Sequence, residues 1–310
     1  MHGMKILVLG AGGIGGYFGG RLAAAGADVT FLVRPRRAEQ LAANGLVIKS
    51  PRGDLQLPVA TVLAPQLRPG YDLVFLTCKA YDLAAAIEAV APAVDQRTAL
   101  LPALNGIQHL AVLKEKFGEG QVLGSVAQIA VTLTPDGEIH HLGDFHVLAF
   151  GELSGQRSPR CDDFARLCAG ANFTSRLSDN ILLESWEKFV FLATLAAMNC
   201  LMRASVGAIM RTDDGEALMG EMLEECRKVA AASGHLPRPE MLARYASLLT
   251  DRDSGFTASM LRDIERKGPT EGEHIVGDML RRARELGVDA PLLRVAHSHL
   301  QAYEAGRAAS

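Results

Sequence analysis

The sequence predicts an α/β fold. A Rossmann-type doubly wound parallel sheet should cover residues 1–179, and an all-α domain should follow over residues 180–310. Three observations carry this. Short, continuously apolar runs alternate with helical stretches through the first half, as strands covered on both faces require. A glycine-rich turn lies between the first such run and the first helical stretch. After about Ser178 the apolar residues recur at helical spacing to the end of the chain.

Lys5-Ile6-Leu7-Val8-Leu9 is β-rich, apolar and bounded by glycine, so it reads as the first strand. A helix from about Ile14 to Ala25 should end at Gly26. Asp28 to Val33 is a second strand, Tyr71 to Thr77 another, and Ala99 to Leu104 a weaker one. The stretch from Val122 to Phe150 alternates more clearly and reads as antiparallel additions to the same sheet. In the second half, Phe189 to Met202 is too apolar for a surface and too short for a bilayer, so a buried helix is expected. Leu218 to Ala232 should form an amphipathic helix. Thr270 and Glu273 have capping-box spacing, and Gly287 stands where a helix would stop.

The 310 residues fit about two domains and can bury an ample core without a metal or disulfide staple. Net charge is −3, with no basic stripe of the kind that phosphate backbones require, so a nucleic-acid partner is not expected. Five cysteines without CxxC spacing suggest a reducing, cytoplasmic setting. Met1-His2-Gly3-Met4 runs into the first strand with no secretion signal; its first three residues read as an upstream start or a remnant. No His/Cys/carboxylate cluster has metal-ligand spacing, and His140, His141 and His146 read as structural or solvent-facing.

Gly10-Ala11-Gly12-Gly13-Ile14-Gly15 fits G-x-G-x-x-G. The match gains force from its place, after an apolar strand and at the opening of a helix. Gly10 suits the tight turn, Gly12 lets the backbone approach a pyrophosphate, and Gly15 permits close helix–strand packing. The helix N-terminus would then offer free N–H groups and a partial positive charge to phosphates. Where the second strand ends, a protein selective for NAD would carry Asp or Glu. Arg34 stands there instead and can pair with a 2′-phosphate, so NADP is the expected cofactor; Arg36 or Arg37 could add to it.

Lys79 and Asn105 follow two further strands, on the side where ligands of open α/β sheets bind. Alone, Lys79 is an ordinary surface lysine and Asn105-Gly106 an ordinary turn; only their shared location raises them. Lys188 shares one helical face with Leu192 and Leu195. A lysine on an inner face is costly without a partner or a task, and the bland alternative is a first-turn lysine snorkelling to solvent. Ser259 and Glu271 lie twelve positions apart. Glu271 could simply be a first-turn carboxylate of the last long helix.

Together, these elements resemble the ketopantoate reductase family over essentially the whole chain. The resemblance rests on the glycine motif, Arg34, Lys79, Leu104-Asn105-Gly106, Trp186-Glu187-Lys188, Ser259-Met260-Leu261-Arg262-Asp263 and Glu271. It implies NADPH as hydride donor, a 2-keto acid substrate and a site in a cleft between the domains. The substrate would be 2-dehydropantoate, reduced to pantoate in pantothenate biosynthesis. By the same resemblance Lys188 is the proton donor, Lys79 and Asn105 line the nicotinamide side, Ser259 contacts substrate, and Glu271 sits near both lysine and cofactor.

The chain departs from the family where Leu192, Ala196, Val206 and Val276 occupy positions usually held by asparagine. Asn199, Ser205 or Arg203 could substitute. A more apolar 2-keto acid or another carbonyl compound therefore stays open. So do an opine- or 2-hydroxyacid-type dehydrogenase and a non-catalytic NADP-binding sensor. Homodimerisation through the helical half is compatible with each, and no membrane partner is expected.

Overall fold

The structure is a computed structural model and describes residues 3–309; Met1 and His2 of the opening segment, and Ser310, lie outside the described residues. The chain divides into two compact units. One comprises the residues up to Leu104 together with His109–Leu182, and the other comprises Asn105–Gln108 together with the chain from Leu183 onward.

The first unit runs β1 (Lys5–Leu9), α1 (Gly13–Ala24), β2 (Asp28–Leu32), α2 (Pro35–Asn44), β3 (Leu46–Lys49), β4 (Leu55–Leu57) and β5 (Ala60–Val62). It continues with β6 (Leu73–Leu76), α3 (Leu83–Val90), β7 (Ala99–Pro102), all but the first residue of α4 (Gln108–Phe117), β8 (Leu123–Leu133), β9 (Ile139–Glu152), α5 (Pro159–Ala169) and β10 (Thr174–Leu177). Five strands form a wholly parallel sheet in the order β5-β2-β1-β6-β7. Chain order reverses between β1 and β6, which is the switch point of a doubly wound sheet. Ile6, Leu7, Val8 and all of β6 are buried, which explains why these strands read as continuous apolar runs.

The stretch from Val122 to Phe150 does not extend this sheet. β8 and β9 pair antiparallel with each other, as their alternation suggests. They then build a second sheet in which β9 also pairs in parallel with β10 and β3, and β3 pairs with β4. Among the described residues, an isolated bridge from Leu100 to Val122 is the ladder contact leading toward the parallel sheet. The reason lies in the length of β9: fourteen residues give one half to β3 and the other to β10. His141 and His146 stack with ring centroids 5.7 Å apart, and His146 shares a 2.8 Å hydrogen bond with the buried Tyr17. They pack this sheet against α1.

The second unit is helical. It contains most of α6 (Ile181–Met202), then α7 (Val206–Met210), α8 (Gly215–Ala232), α9 (Pro239–Leu249), α10 (Ser259–Glu265), a single π-helical turn (Glu273–Gly277), α11 (Asp278–Glu285) and α12 (Pro291–Ala308). α8 buries Met219, Met222, Cys226 and Val229 along one stripe. Its buried Glu225 accepts hydrogen bonds from the Leu292 and Leu293 amides, at 3.0 and 2.9 Å, and so caps α12. Gly287, with φ of +66°, ends α11 as anticipated. The capping box at Thr270 does not form. Thr270 Oγ1 receives the Gly272 amide and donates to Glu304, while Glu273 pairs with His297. Glu271 accordingly precedes a π turn and not the last long helix. No described helix is long and apolar enough to cross a membrane.

Candidate functional site

In the first unit the glycine turn connects β1 to α1. Gly10 adopts φ of +89°, a conformation L side chains rarely take. At Gly15 an added Cβ would lie 2.3 Å from Thr77 Oγ1 and 2.4 Å from the Gly10 carbonyl oxygen, so only glycine fits. Thr77 completes the joint by donating to the Leu9 carbonyl at 2.8 Å. No side chain caps α1, and its first turn holds no acidic residue. The first helical amide bond runs from Gly16 to the Gly12 carbonyl, so earlier N–H groups are left for a ligand. Gly12, Gly13 and Ile14 are partly open to solvent. This cradle fits a dinucleotide pyrophosphate.

Arg34 follows β2 and is exposed; its carbonyl accepts the amides of Arg37 and Ala38 at the start of α2, while its guanidinium forms no hydrogen bond or ion pair with a described residue. Arg37 has a different task from the one the sequence allowed it. Its Nε donates to the Ala11 carbonyl at 3.0 Å and its Nη1 to the Gly137 carbonyl at 2.9 Å. It thus braces the glycine turn against the loop between β8 and β9. Burial lowers its guanidinium from the ordinary arginine value. Lys79 belongs to this unit too, three residues beyond β6 and partly buried.

In the second unit the Trp186-Glu187-Lys188 triplet sends three consecutive side chains three ways. Trp186 is buried against Phe189, stacks on His235 at 5.2 Å and lies under the Arg282 guanidinium at 5.3 Å. Glu187, 1% exposed, accepts from the Arg238 amide at 2.9 Å and from its guanidinium at 2.8 and 2.6 Å. With both neighbours fixed, Lys188 has little freedom. It lies in the third turn of α6, too deep to be a snorkelling first-turn lysine.

Lys188 Nζ donates to Asn105 Oδ1 at 3.2 Å, and Asn105 Nδ2 stands 3.5 Å from Glu271 Oε2. Gly106 permits this approach: its φ is +76°, and a Cβ there would come within 2.9 Å of the His274 carbonyl oxygen. Burial pulls the Lys188 ammonium down to about 8, and the Glu271 carboxylate opposes that pull. Glu271 itself is 1% exposed. Three residues far apart in sequence are thus gathered into one polar cluster. Ser259 opens α10 and is partly exposed, with no described bond to the cluster.

The proposed substitutes for the missing asparagines are already occupied. Asn199 is fully buried; its Nδ2 donates to the Ala204 carbonyl and its Oδ1 accepts from the Ala258 amide, both at 2.8 Å. It therefore ties the start of α10, and Ser259 with it, to the helix of Lys188. Ser205 caps α7, and Arg203 lies exposed over Tyr303. Val206 and Val276 are fully buried and Ala196 nearly so, while Leu192 keeps some exposure. The anchoring work of Asn199, Trp186 and Glu187 was not legible from spacing, because each relies on a partner remote in sequence: Ala258 for Asn199, His235 and Arg282 for Trp186, and Arg238 for Glu187.

The pattern of the ketopantoate reductase PanE/ApbA family matches residues 6–155, and that of the family's C-terminal part matches residues 180–304. The chain is 36% identical over 302 residues to the uncharacterized oxidoreductase YkpB of Bacillus subtilis, covering 97% of this chain and 99% of that one. It is 28% identical to a 2-dehydropantoate 2-reductase of Mesorhizobium japonicum, covering 93% of both chains. A PanE/ApbA family ketopantoate reductase from Ralstonia eutropha superposes with a TM-score of 0.89 at 26% identity, covering 98% of this chain and 99% of that one. The family's enzymes use a nicotinamide cofactor. With both of its halves matched, this chain belongs to the ketopantoate reductase family, whose members are oxidoreductases acting on CH–OH or ketone groups.

Proposed function

We propose that the protein reduces the ketone of a 2-keto acid with NADPH, and that Lys188 donates the proton. The observation that carries this reading is the Lys188–Asn105–Glu271 cluster: an ammonium lowered to about 8 by burial and kept charged near neutrality by a carboxylate. When bound, the nicotinamide supplies the hydride. Negative charge then grows on the substrate oxygen, and the Lys188 ammonium stabilises that charge and gives up a proton to it. Asn105 orients the ammonium, Glu271 favours its charged form, and Ser259 contacts the substrate. Gly10, Ala11, Gly12, Gly13, Ile14 and Gly15 would hold the pyrophosphate, with Lys79 and Asn105 toward the nicotinamide. Arg34 would hold a 2′-phosphate, because its guanidinium is exposed, cationic and uncommitted to any described partner.

The first substrate to test is 2-dehydropantoate, reduced to pantoate, because the Mesorhizobium relative is a 2-dehydropantoate 2-reductase. A second reading has its own support. Ala196, Val206 and Val276 offer buried hydrocarbon where hydroxyl-binding asparagines would be expected, which favours a more apolar 2-keto acid. NADPH consumption with 2-dehydropantoate beside branched and aromatic 2-keto acids separates the two. Cofactor binding without turnover of any of them would replace both with an NADP-binding sensor.

A further inference from the structure

Glu271 stands on a short segment that α12 grips on both sides. Upstream, α10 ends with Lys267 at φ of +57°, the Gly268 amide bonding back to Asp263 and the Lys267 amide to Ile264. That pattern is a Schellman closure that fixes the chain direction. Tyr303 of α12 then donates to the Gly268 carbonyl at 2.8 Å. Glu304, one residue on, accepts both donors of Thr270 with a single oxygen: the amide at 2.7 Å and Oγ1 at 2.8 Å. Downstream, His297 shares a 2.8 Å hydrogen bond with Glu273. His297, Leu300 and Glu304 lie on one face of α12. The π turn after Glu271 suits this reading, since such turns recur at functional sites and re-aim the side chains around them.

We propose that Glu304 is a positioning residue for the reaction: by holding Thr270 it fixes the backbone that carries Glu271, and so the charge that acts on Lys188. The inference rests on the proposed pairing of Lys188 with Glu271. Burial works to raise the Glu304 carboxyl, but the Thr270 donors and Arg307 outweigh it and leave the group below the usual carboxylate range. It is therefore an anionic acceptor wherever the enzyme would work.

The test follows the Lys188 ammonium itself, by NMR titration of protein labelled at lysine Cε, with the resonance assigned by its loss in Lys188→Arg. No substrate is needed. Glu271→Gln should lower the Lys188 titration point, and Glu304→Ala should lower it part of the way. Glu304→Gln keeps an acceptor oxygen for Thr270 and should restore it. In turnover with NADPH and 2-dehydropantoate, or the best acid of the panel, Glu304→Ala should lower kcat by up to roughly a hundredfold, the cost of a misplacement of about 1 Å, with KM for NADPH unchanged. If Glu271→Gln moves the titration and Glu304→Ala does not, the positioning role falls alone. If Glu271→Gln leaves it unmoved, the Lys188–Glu271 pairing falls first. The Glu304–Thr270 pair borders a cavity of about 260 Å³, so water can reach the Thr270 amide in the alanine variant. Should that variant still fail to fold, the isosteric Thr270→Val removes one of the two donors and must shift the titration in the same direction; no shift overturns the proposal.

Discussion

The glycine turn of the first unit and the lysine cluster of the second are built on opposite principles. The turn is backbone chemistry. Its requirements are steric and local: a positive φ at Gly10, no room for a Cβ at Gly15, and an uncapped helix start. The cluster is side-chain chemistry assembled from Asn105, Lys188 and Glu271, which span 166 positions of sequence. Short-range sterics can be read from a motif; a charge whose value depends on its surroundings cannot.

This contrast can be broken most sharply at Lys188. Lys188→Ala should lower turnover by at least about a hundredfold, the low end for general acid catalysis, while NADPH binding by fluorescence titration stays intact. Normal turnover would clear Lys188 of the role. Gly15→Ala should do the reverse. It forces Thr77 and the Gly10 carbonyl aside, at about 1–3 kcal/mol of cofactor affinity or fold stability, read by titration and thermal melting. A variant that binds NADPH normally would show that the turn tolerates displacement.

Arg34→Asp should narrow an NADPH preference over NADH of at least about tenfold, since a charge-assisted bond contributes about 1.5–3 kcal/mol. Equal affinities in the parent protein would remove the argument. The pH dependence is subtler and has two signs. Proton donation needs the ammonium, so kcat/KM, which reports the free enzyme, should be level below about 8 and fall as pH rises beyond it. Stability runs the other way: the cost of holding Lys188 charged is complete below about 8 and is relieved as pH rises from there toward 10.5. A rate profile without a basic limb would separate the titration from the chemistry. The smallest effect belongs to Arg37→Met, which releases the Ala11 and Gly137 carbonyls and should cost about 1 kcal/mol per bond in thermal stability.

The parts legible beforehand were those where local rules and burial agree. β1, β2, β6 and β7 were readable because parallel strands covered on both faces must be continuously apolar. β3, β4 and β5 escaped notice: each has three or four residues, and β5 is a partly exposed edge of the parallel sheet. The alternation of β8 and β9 revealed that they pair antiparallel but not which sheet they join, because pairing partners are a tertiary choice. Thr270 and Glu273 had the spacing of a capping box, yet Glu304 and His297 supplied better-placed partners from α12. Asn199, a candidate for substrate, was claimed by the backbone of Ala204 and Ala258. Arg37, a candidate for phosphate, was claimed by the turn it braces.

The sequence by itself determined the parallel sheet, the glycine cradle, the position of Arg34 and the helical character of the second half. Each follows from sterics or periodicity acting within a few residues. The tertiary structure alone decided that Lys188 meets Asn105 near Glu271, that Asn199 is spent on structure, and that the β8–β9 pair founds a sheet of its own. Desolvation, charge pairing and strand partnership all depend on which distant groups arrive within a few ångströms, and spacing along the chain does not encode that.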